Sequence, residues 1–244
     1  NYVYAWQQEI AAACLAKEVP FIVLHKEGMT TKNNYNDLVK TYTNNKFIGS
    51  KMLVYNQNIK KAFLKSKIKG LDADIVKVTG APRLDRYFKI GQKGKNIVFF
   101  SFYLKDKIRH VNLTYGQKKE CLEIAKNFHI EIMKIALSDK NSSIIIKTKE
   151  GSKYYQYVRE IARENDFLNI KNLLITSKGD SFDFINDSSC VIGFNSTTLV
   201  EGVIARKTII SPNFSKYGIL DFFEKYPELV NYANESNGIK TSVQ

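Results

Sequence analysis

Short apolar runs alternate along the chain with longer segments in which apolar residues recur at helical spacing. The short runs predict buried strands, and the longer periodic segments predict helices. The predicted strands are residues 19–24, 51–55, 74–78, 97–102, 143–147, 172–176, 190–194 and 207–211. The predicted helices are residues 3–17, 34–46, 57–67, 116–137, 153–164, 180–186 and 196–205. Continuous apolar strands between helices are typical of parallel sheets covered on both faces, so the pattern predicts an α/β fold.

A Gly- and Lys-rich segment, KIGQKGKN at residues 89–96, interrupts this alternation and is the best candidate for a linker. We therefore expect two Rossmann-like domains, one over residues 1–90 and one over residues 91–244. The first domain would hold three of the predicted strands, which make a thin sheet, so we expect it to be incomplete. Both ends of the sequence resemble cuts, which indicates a fragment of a longer protein.

The composition is that of a globular protein, with 44% hydrophobic and 12% aromatic residues over 244 positions. No apolar run approaches the roughly 20 residues that a membrane-spanning helix needs, and no signal-peptide pattern follows the first residue. Cys14, Cys121 and Cys190 are widely spaced, so we expect buried thiols with neither a disulfide framework nor a zinc site. The histidines also lack metal-ligand spacing, and a cytoplasmic protein that binds no metal is the expectation.

The chain is strongly basic, since 37 Lys and Arg residues against 24 Asp and Glu residues give a formal net charge of +13. Such a charge can attract nucleic acid, an anionic membrane surface or phosphorylated small molecules. The lysines are dispersed, and no arginine-rich arm, zinc finger or aromatic RNA-binding signature is present, so we expect no nucleic acid partner. We expect most of the charge to be solvated surface, part of which faces anionic lipid at the inner side of the cell membrane.

Polar residues follow the predicted strands, at the edge where open parallel sheets bind their ligands. These strand-end segments are residues 25–28, 56–58, 79–83, 101–103, 147–149, 177–179 and 195–198. Loops are polar in any case, but several of these segments also carry a cation. We therefore predict a polar cleft that favours anions.

The segment at 195–198 carries the most information, because Asn195, Ser196, Thr197 and Thr198 stand where a predicted strand gives way to a helix. A helix start offers unpaired N–H groups and a partial positive charge, which suit a phosphate. Thr198 and Glu201 also fit a capping box, which predicts Thr198 as the helix cap. Capping alone would leave Asn195, Ser196 and Thr197 unexplained. Capping together with ligand binding is therefore the favoured interpretation.

Three segments together resemble a known enzyme class. They are GFNSTTLVEG at 193–202 followed by ARKTII at 205–210, VTGAPRLD at 78–85, and VPFIVLHKEG at 19–28. They are similar to segments of GT-B glycosyltransferases of bacterial surface polysaccharide synthesis. The nearest patterns are the capsule polysaccharide synthesis family and the CDP-glycerol glycerophosphotransferases of teichoic acid synthesis. This sequence departs from them at KTKE, residues 147–150, where His-Pro is usual, and at residues 206–208, where Gly-Lys-Pro is usual.

The resemblance implies a transferase that moves a sugar, or a glycerol-phosphate-type group, from a nucleotide-activated donor to a surface polysaccharide or lipid-linked acceptor. The donor would be CMP-, CDP- or UDP-linked, and neither a cofactor nor a metal is expected. Helix N-termini and cations can stabilise the leaving phosphate. The residues expected to bind the donor are Asn195, Ser196, Thr197 and Thr198, with Lys147 and Lys149 on the phosphates, Glu201 on the ribose, and Arg83.

The acceptor hydroxyl needs a base, and Glu27 is the first candidate with His25 the second. Each of these residues also has a structural reading. Glu27 before Gly28 can be a turn residue, His25 at a strand end can be a packed histidine, and Arg83 can fix the joint between the domains.

Two other classes of protein remain open. A nucleotide-sugar epimerase of the same architecture would need two or more carboxylates and a histidine at the sugar, which Glu27 and His25 alone do not supply. A non-enzymatic module that binds polyanions would carry its basic residues on one contiguous face away from the strand ends.

Overall fold

The computed structural model describes residues 5–25, 39–40, 46–91, 94–108, 111–219, 221–223 and 226–233. The chain divides into two compact units, Asn1–Asp85 and Arg86–Gln244. The expected domain boundary after residue 90 stays a prediction, and Arg86 and Tyr87, at the start of the second unit, bond to other residues of that unit. Arg86 pairs with Asp180, and the Tyr87 hydroxyl donates a hydrogen bond to Glu201.

The first unit contains a three-stranded parallel sheet in the order β1-β2-β3. Its elements are α1 (Ala5–Ala16), β1 (Ile22–Leu24), β2 (Lys51–Val54), α2 (Gln57–Lys65) and β3 (Val76–Val78), followed by a 3-10 helix at Pro82–Lys89 that crosses into the second unit. Asn56 caps α2 by accepting a 3.0 Å hydrogen bond from the amide of Ile59, and the apolar face of α2 packs on the sheet. The three strands expected before residue 96 are thus present in the described part of the chain.

The second unit contains a six-stranded sheet in which every neighbouring pair is parallel. Its strands are β4 (Asn96–Phe100), β5 (Ile144–Lys147), β6 (Leu173–Thr176), β7 (Ser188–Gly193), β8 (Thr208–Pro212) and β9 (Asn231–Ala233). Its α-helices are α3 (Leu104–Lys107), α4 (Tyr115–Ser138), α5 (Ser152–Glu164), α6 (Ser181–Asn186) and α7 (Thr197–Ile204). Short 3-10 helices lie at Ser215–Tyr217 and Pro227–Leu229.

The central strands β4, β5 and β7 are buried almost throughout, as their continuous apolar sequences require in a sheet covered on both faces. The long helix α4 begins at a capping box, in which Thr114 and Gln117 satisfy each other's backbone amides. From there α4 buries one face, which includes Ala125, Phe128 and Ile132, in the main hydrophobic core.

The strand order β6-β5-β4-β7-β8-β9 reverses direction between β4 and β7. From β4 the chain continues outward through β5 and β6, and it then returns to the other side of β4 to form β7, β8 and β9. The loops that leave β4 and β7 therefore start at the point where the strand order reverses, at the carboxyl edge of the sheet, which is where doubly wound folds bind ligands. Residues 101–103 and 194–197 stand at this switch point.

The predicted elements agree with this architecture, with ends that differ by a few residues. The predicted helix at 34–46 falls largely outside the described residues. The sequence pattern missed α3 and β9, which are too short to show a periodicity, and it also missed the 3-10 helices. All three cysteines are free thiols; Cys121 and Cys190 are buried as expected, while Cys14 is half-buried.

Two features of the described residues concern membrane crossing and metal binding. None of their helices is both long enough and apolar enough to cross a membrane. Nowhere in that part of the chain do three or more His, Cys, Asp or Glu side chains gather in a way that could hold a metal ion.

Candidate functional site

The turn between β7 and α7 places four polar residues at the carboxyl edge of the sheet, beside the switch point. Asn195 has a left-handed backbone with φ of +47°, a conformation that asparagine tolerates better than most residues. Ser196 is the helix cap, and its hydroxyl oxygen accepts from the amide of Thr198 at 3.4 Å and lies 2.8 Å from the Thr198 hydroxyl. All four residues, Asn195 to Thr198, are half-buried, and the side-chain oxygen of Asn195 is itself buried.

The predicted capping box of Thr198 and Glu201 is wrong. The helix begins at Thr197, so Ser196 is the cap and Glu201 lies more than one turn further along. A side chain at that distance cannot fold back to the amide of the cap, because a capping box joins the cap to the third helical residue. The hydroxyl of Ser196 therefore takes the role that the sequence assigned to Thr198.

Glu201 is instead held by a tyrosine. The residue is 6% exposed, and its Oε2 accepts a 2.9 Å hydrogen bond from the hydroxyl of Tyr87, which is itself buried. Burial and the negative charge of Glu201 raise the pKa of Tyr87 to about 12, so the phenol remains a donor at neutral pH. The contact fixes the orientation of the carboxylate on the first turns of α7.

An arginine completes this arrangement. Arg86 donates to the Tyr87 hydroxyl at 3.3 Å and forms a fork with Asp180, at 3.2 and 3.3 Å. Asp180 also caps α6 by accepting from the amide of Phe182 at 2.9 Å, and the Arg86 guanidinium lies 4.6 Å from the Phe182 ring centroid. A chain of contacts thus runs from the start of α6 to Glu201 on α7.

The two lysines expected at the phosphates differ from each other. Lys147 is buried at the end of β5, and its ammonium donates to the carbonyl oxygens of Thr148 at 3.0 Å and Ser177 at 2.8 Å. Burial lowers the pKa of Lys147, and the charge of Glu150 partly opposes this shift. Lys147 therefore joins the loops that follow β5 and β6, whereas Lys149 is exposed to solvent.

Lys149 belongs to a cationic aromatic surface formed by the loops after β4 and β5 together with the start of α5. The Lys149 ammonium lies 5.8 Å from the ring centroid of Tyr154, and the Lys153 ammonium lies 4.7 Å from the same ring and 5.6 Å from that of Tyr103. Asp106 anchors this surface by accepting from Lys153 at 3.1 Å and from the Tyr154 hydroxyl at 2.9 Å. Positive charge is thus present at the carboxyl edge of the sheet, and a contact of Lys149 with a phosphate stays a prediction.

Sequence reasoning missed a serine–histidine pair at the switch point. Ser101 directly follows β4, and its hydroxyl lies 2.9 Å from Nε2 of His129 on α4. The His129 ring is fully buried, its Nδ1 lies 2.7 Å from the carbonyl oxygen of Ala125, and burial lowers its pKa to about 4. One signal was available, because His129 occupies the apolar face of a predicted helix, where a charged imidazolium would be costly.

A cavity of about 360 Å³ is formed at the carboxyl ends of β7, β8 and β9. Its lining residues are Phe194, Pro212, Asn213, Phe214, Ser215, Ile219, Asp221, Pro227 and Tyr232. Phe194, which directly precedes the polar turn, is one of these lining residues.

The remaining candidates belong to the first unit. Glu27 lies outside the described residues. His25 follows β1 and is buried, with its ring edge-on to Phe63 at a centroid distance of 4.8 Å and its backbone amide bonded to the carbonyl of Leu53. These are the contacts of a packed histidine, and its role as a base stays a prediction. Arg83 is exposed on the 3-10 helix at Pro82–Lys89, and its role also stays a prediction.

Neither a protein-family model nor a curated protein sequence matches the chain. Several solved structures, however, are similar to it in fold. UDP-GlcNAc 2-epimerase from Methanocaldococcus jannaschii has a TM-score of 0.54 at 10% identity, with 97% of this chain and 72% of that chain covered. UDP-GlcNAc 2-epimerase from Neisseria meningitidis, solved with UDP-GlcNAc, has a TM-score of 0.53 at 15% identity, with 96% and 63% covered.

The wall teichoic acid polymerase TagF is also similar, with a TM-score of 0.50 at 14% identity and coverage of 90% of this chain and 54% of that chain. The chain thus spans 63% of the Neisseria enzyme and little more than half of TagF. Likeness at such low identity shows the fold. The prediction of an α/β protein with two Rossmann-like, GT-B-like domains is confirmed.

Proposed function

We propose that the chain is part of a GT-B transferase that moves a sugar, or a glycerol-phosphate-type group, from a nucleotide-activated donor to a surface polysaccharide or lipid-linked acceptor. The observation that carries this proposal is the half-exposed polar turn Asn195–Thr198, which opens α7 beside the switch point of a parallel sheet. Amides at a helix start, together with the hydroxyls of Ser196 and Thr198, suit the diphosphate of such a donor.

The chemistry requires negative charge on the leaving nucleotide to be stabilised as the bond to the transferred group breaks. The start of α7 supplies about half a positive charge and oriented N–H groups, and a donor phosphate would share or replace the bond from the Thr198 amide to the Ser196 hydroxyl. Lys149 and Lys153 add positive charge at the same edge of the sheet, where Lys153 is paired with Asp106. This route needs no cofactor beyond the donor itself.

Glu201 is proposed to bind the ribose of the donor. Its buried carboxylate is oriented by the hydroxyl of Tyr87, and a carboxylate held in this way can accept hydrogen bonds from vicinal hydroxyls. Lys147, in contrast, is proposed to act through the loops that it joins, because its ammonium already donates to two carbonyl oxygens. The excess of Lys and Arg residues on the protein surface would attract anionic lipid and so bring a lipid-linked acceptor close to the enzyme.

A nucleotide-sugar epimerase is the second candidate, because two of the solved structures with this fold are UDP-GlcNAc 2-epimerases. The two activities differ in what they require. An epimerase converts the free nucleotide sugar without any acceptor, whereas a transferase releases the nucleotide only when an acceptor receives the group. Incubation with UDP-GlcNAc alone, followed by NMR of the sugar, therefore separates them.

The proposal is tested by calorimetric titration of the protein with CMP, CDP and UDP. We expect one of these nucleotides to bind with micromolar affinity and to raise the melting temperature. Ser196→Ala should weaken this binding by about 10-fold or more, because hydrogen bonds to charged groups contribute about 1.5–3 kcal/mol.

The matched control is Thr114→Ala, which removes the cap of another helix and costs similar stability without touching the turn. Equal loss of affinity in both variants would contradict a role for the turn. Binding to any polyanion with a steep salt dependence, and to none of the three nucleotides, would favour the basic module instead.

A further inference from the structure

The hydrogen-bond pair of Ser101 and His129 has a defined polarity. Nδ1 of His129 lies 2.7 Å from the carbonyl oxygen of Ala125, and a carbonyl oxygen can only accept. Nδ1 must therefore carry a proton. The ring is fully buried, and burial holds its pKa near 4, so at neutral pH the imidazole has no second proton. Nε2 is thus a bare acceptor, and the hydroxyl of Ser101 must donate to it.

The surroundings of the ring favour this neutral form. Its aromatic neighbours are Phe99, Phe102 and Tyr157, with centroid distances of 4.8, 5.3 and 5.4 Å. Tyr157 is the titratable group among them, and its pKa is raised to about 12, chiefly by burial, so it is neutral as well. A protonated imidazolium would face an apolar, uncharged wall on these sides.

Because its proton is committed to His129, the Ser101 oxygen offers only lone pairs to anything else that approaches it. Ser101 is half-buried at the end of the central strand β4, and its backbone amide is fixed by a 2.9 Å bond to the carbonyl of Lys147. It stands at the switch point, in the loop that faces the divergence of β4 from β7. A phosphate oxygen, which is itself an acceptor, gains nothing there.

We propose that Ser101 is a ligand-binding residue that accepts a hydrogen bond from a neutral hydroxyl or N–H group of the nucleotide sugar, and that His129 is the positioning residue that fixes this polarity. The inference rests on the proposed function, and it assigns different parts of the nucleotide sugar to the start of α7 and to Ser101. The start of α7 would bind the anionic phosphates. Ser101 would accept a hydrogen bond from an uncharged hydroxyl or N–H group on the sugar or on the nucleoside.

The polarity itself is tested without any ligand. In a ¹H–¹⁵N NMR spectrum tuned to the imidazole, we expect His129 to show a protonated Nδ1 and a bare Nε2 at pH 7. A protonated Nε2 would overturn the proposal, since Ser101 would then be the acceptor within the pair.

Binding is tested by titrating UDP and UDP-N-acetylglucosamine, in separate experiments, into the wild type and Ser101→Ala. We expect Kd to rise by about 3- to 10-fold, the range for one neutral hydrogen bond. If Kd rises for both ligands, the group that donates the hydrogen bond to Ser101 lies on the nucleoside. If Kd rises for the nucleotide sugar alone, that group lies on the sugar. Ser101→Thr, which keeps the hydroxyl, should restore affinity. Ser189→Ala, at the amino end of β7, is the matched control.

A double-mutant cycle tests whether His129 acts through Ser101. His129→Phe keeps an aromatic ring in the same packing and should raise Kd in the wild type, yet cause no further rise when Ser101 is already alanine. His129→Gln, which can present an acceptor oxygen, should recover part of the loss. A lowered melting temperature with unchanged Kd would show that His129 is merely structural and would overturn its positioning role.

The failures of the two proposals are distinguishable. If the wild type binds none of the nucleotides or UDP-N-acetylglucosamine, the proposed function fails and this inference falls with it. If the wild type binds and Ser101→Ala binds equally well, the inference alone is overturned.

Discussion

The hydroxyl of Tyr87 donates a 2.9 Å hydrogen bond to the buried carboxylate of Glu201, joining the 3-10 helix at Pro82–Lys89 to the helix that opens at the polar turn. The two residues are 114 positions apart in the sequence. The bond orients the carboxylate that we propose to bind ribose, so the segment that enters the second unit also shapes its candidate site.

Removal of this hydroxyl should therefore cost both stability and affinity. We expect Tyr87→Phe to lower the free energy of unfolding by about 1–3 kcal/mol, because a buried carboxylate loses a donor. Urea unfolding followed by fluorescence measures the effect. Tyr115→Phe is the control, since Tyr115 is 86% exposed and its change should stay within about 0.5 kcal/mol. Similar small effects in both variants would contradict the account of Tyr87.

His129 should make the protein sensitive to acid. Its pKa is about 4 in the folded protein against an ordinary value of 6.5, so the unfolded chain binds the proton more readily. The stability is present in full above pH 6.5 and is lost as the pH falls towards 4, by up to about 3 kcal/mol.

Other groups also titrate in this window, so the test compares the wild type with His129→Phe. The free energy of unfolding of the variant should rise relative to that of the wild type as the pH falls from 7 to 4. Parallel profiles for the two proteins would show that the histidine is not held neutral.

Lys147, the last residue of β5, and Lys149, in the loop that follows, should separate stability from binding. Lys147→Met should lower the free energy of unfolding by about 1–3 kcal/mol, because the carbonyls of Thr148 and Ser177 lose their donor. Lys149→Met should leave stability within about 0.5 kcal/mol of the wild type, since its ammonium is exposed.

Nucleotide binding should respond to Lys149→Met instead. We expect a weaker affinity at low salt that approaches the wild-type value as the salt concentration rises, because an exposed charge is screened. Calorimetry at two ionic strengths measures this. An effect of Lys149→Met on unfolding larger than that of Lys147→Met would reverse the assignment.

Gly202 should be essential for the seating of α7. A Cβ at this position would lie 2.7 Å from Cδ1 of Ile209 and 3.2 Å from the Val191 side chain, so either these side chains or the helix would have to move. We expect Gly202→Ala to cost about 1–3 kcal/mol and to weaken nucleotide binding by displacing the turn.

Gly116→Ala is the opposite case on another helix. Nothing lies within 4 Å of its added Cβ, and alanine favours a helix over glycine by about 0.5–1 kcal/mol. Thermal unfolding of both variants should therefore give changes of opposite sign. Stabilisation by Gly202→Ala would mean that α7 does not pack closely on the sheet.

The sequence allowed the fold to be predicted because local patterns determine it. Continuous apolar runs such as residues 97–102 and 143–147 became the central strands β4 and β5, and the polar residues at 195–198 fell where the strand meets the helix. The exact cap was not predictable, because Ser196 and Thr198 have nearly the same capping chemistry and one residue of helix start decides between them.

The contacts that organise the site could not be predicted for a different reason. Tyr87 with Glu201, and Ser101 with His129, are pairs between distant segments that only the strand order brings together. Lys147 followed a strand as expected, but the pairing of β5 with β6 gave its ammonium two carbonyl partners. Residue type and spacing do not carry this information.

The central claim is that the start of α7 binds the diphosphate of a nucleotide, and NMR of the backbone amides tests it most directly. On titration of CDP or UDP into ¹⁵N-labelled protein, we predict that the amides of Thr197 and Thr198 show the largest shifts, with Ser196 close behind. Saturable binding that leaves these amides unmoved while others shift would contradict the claim.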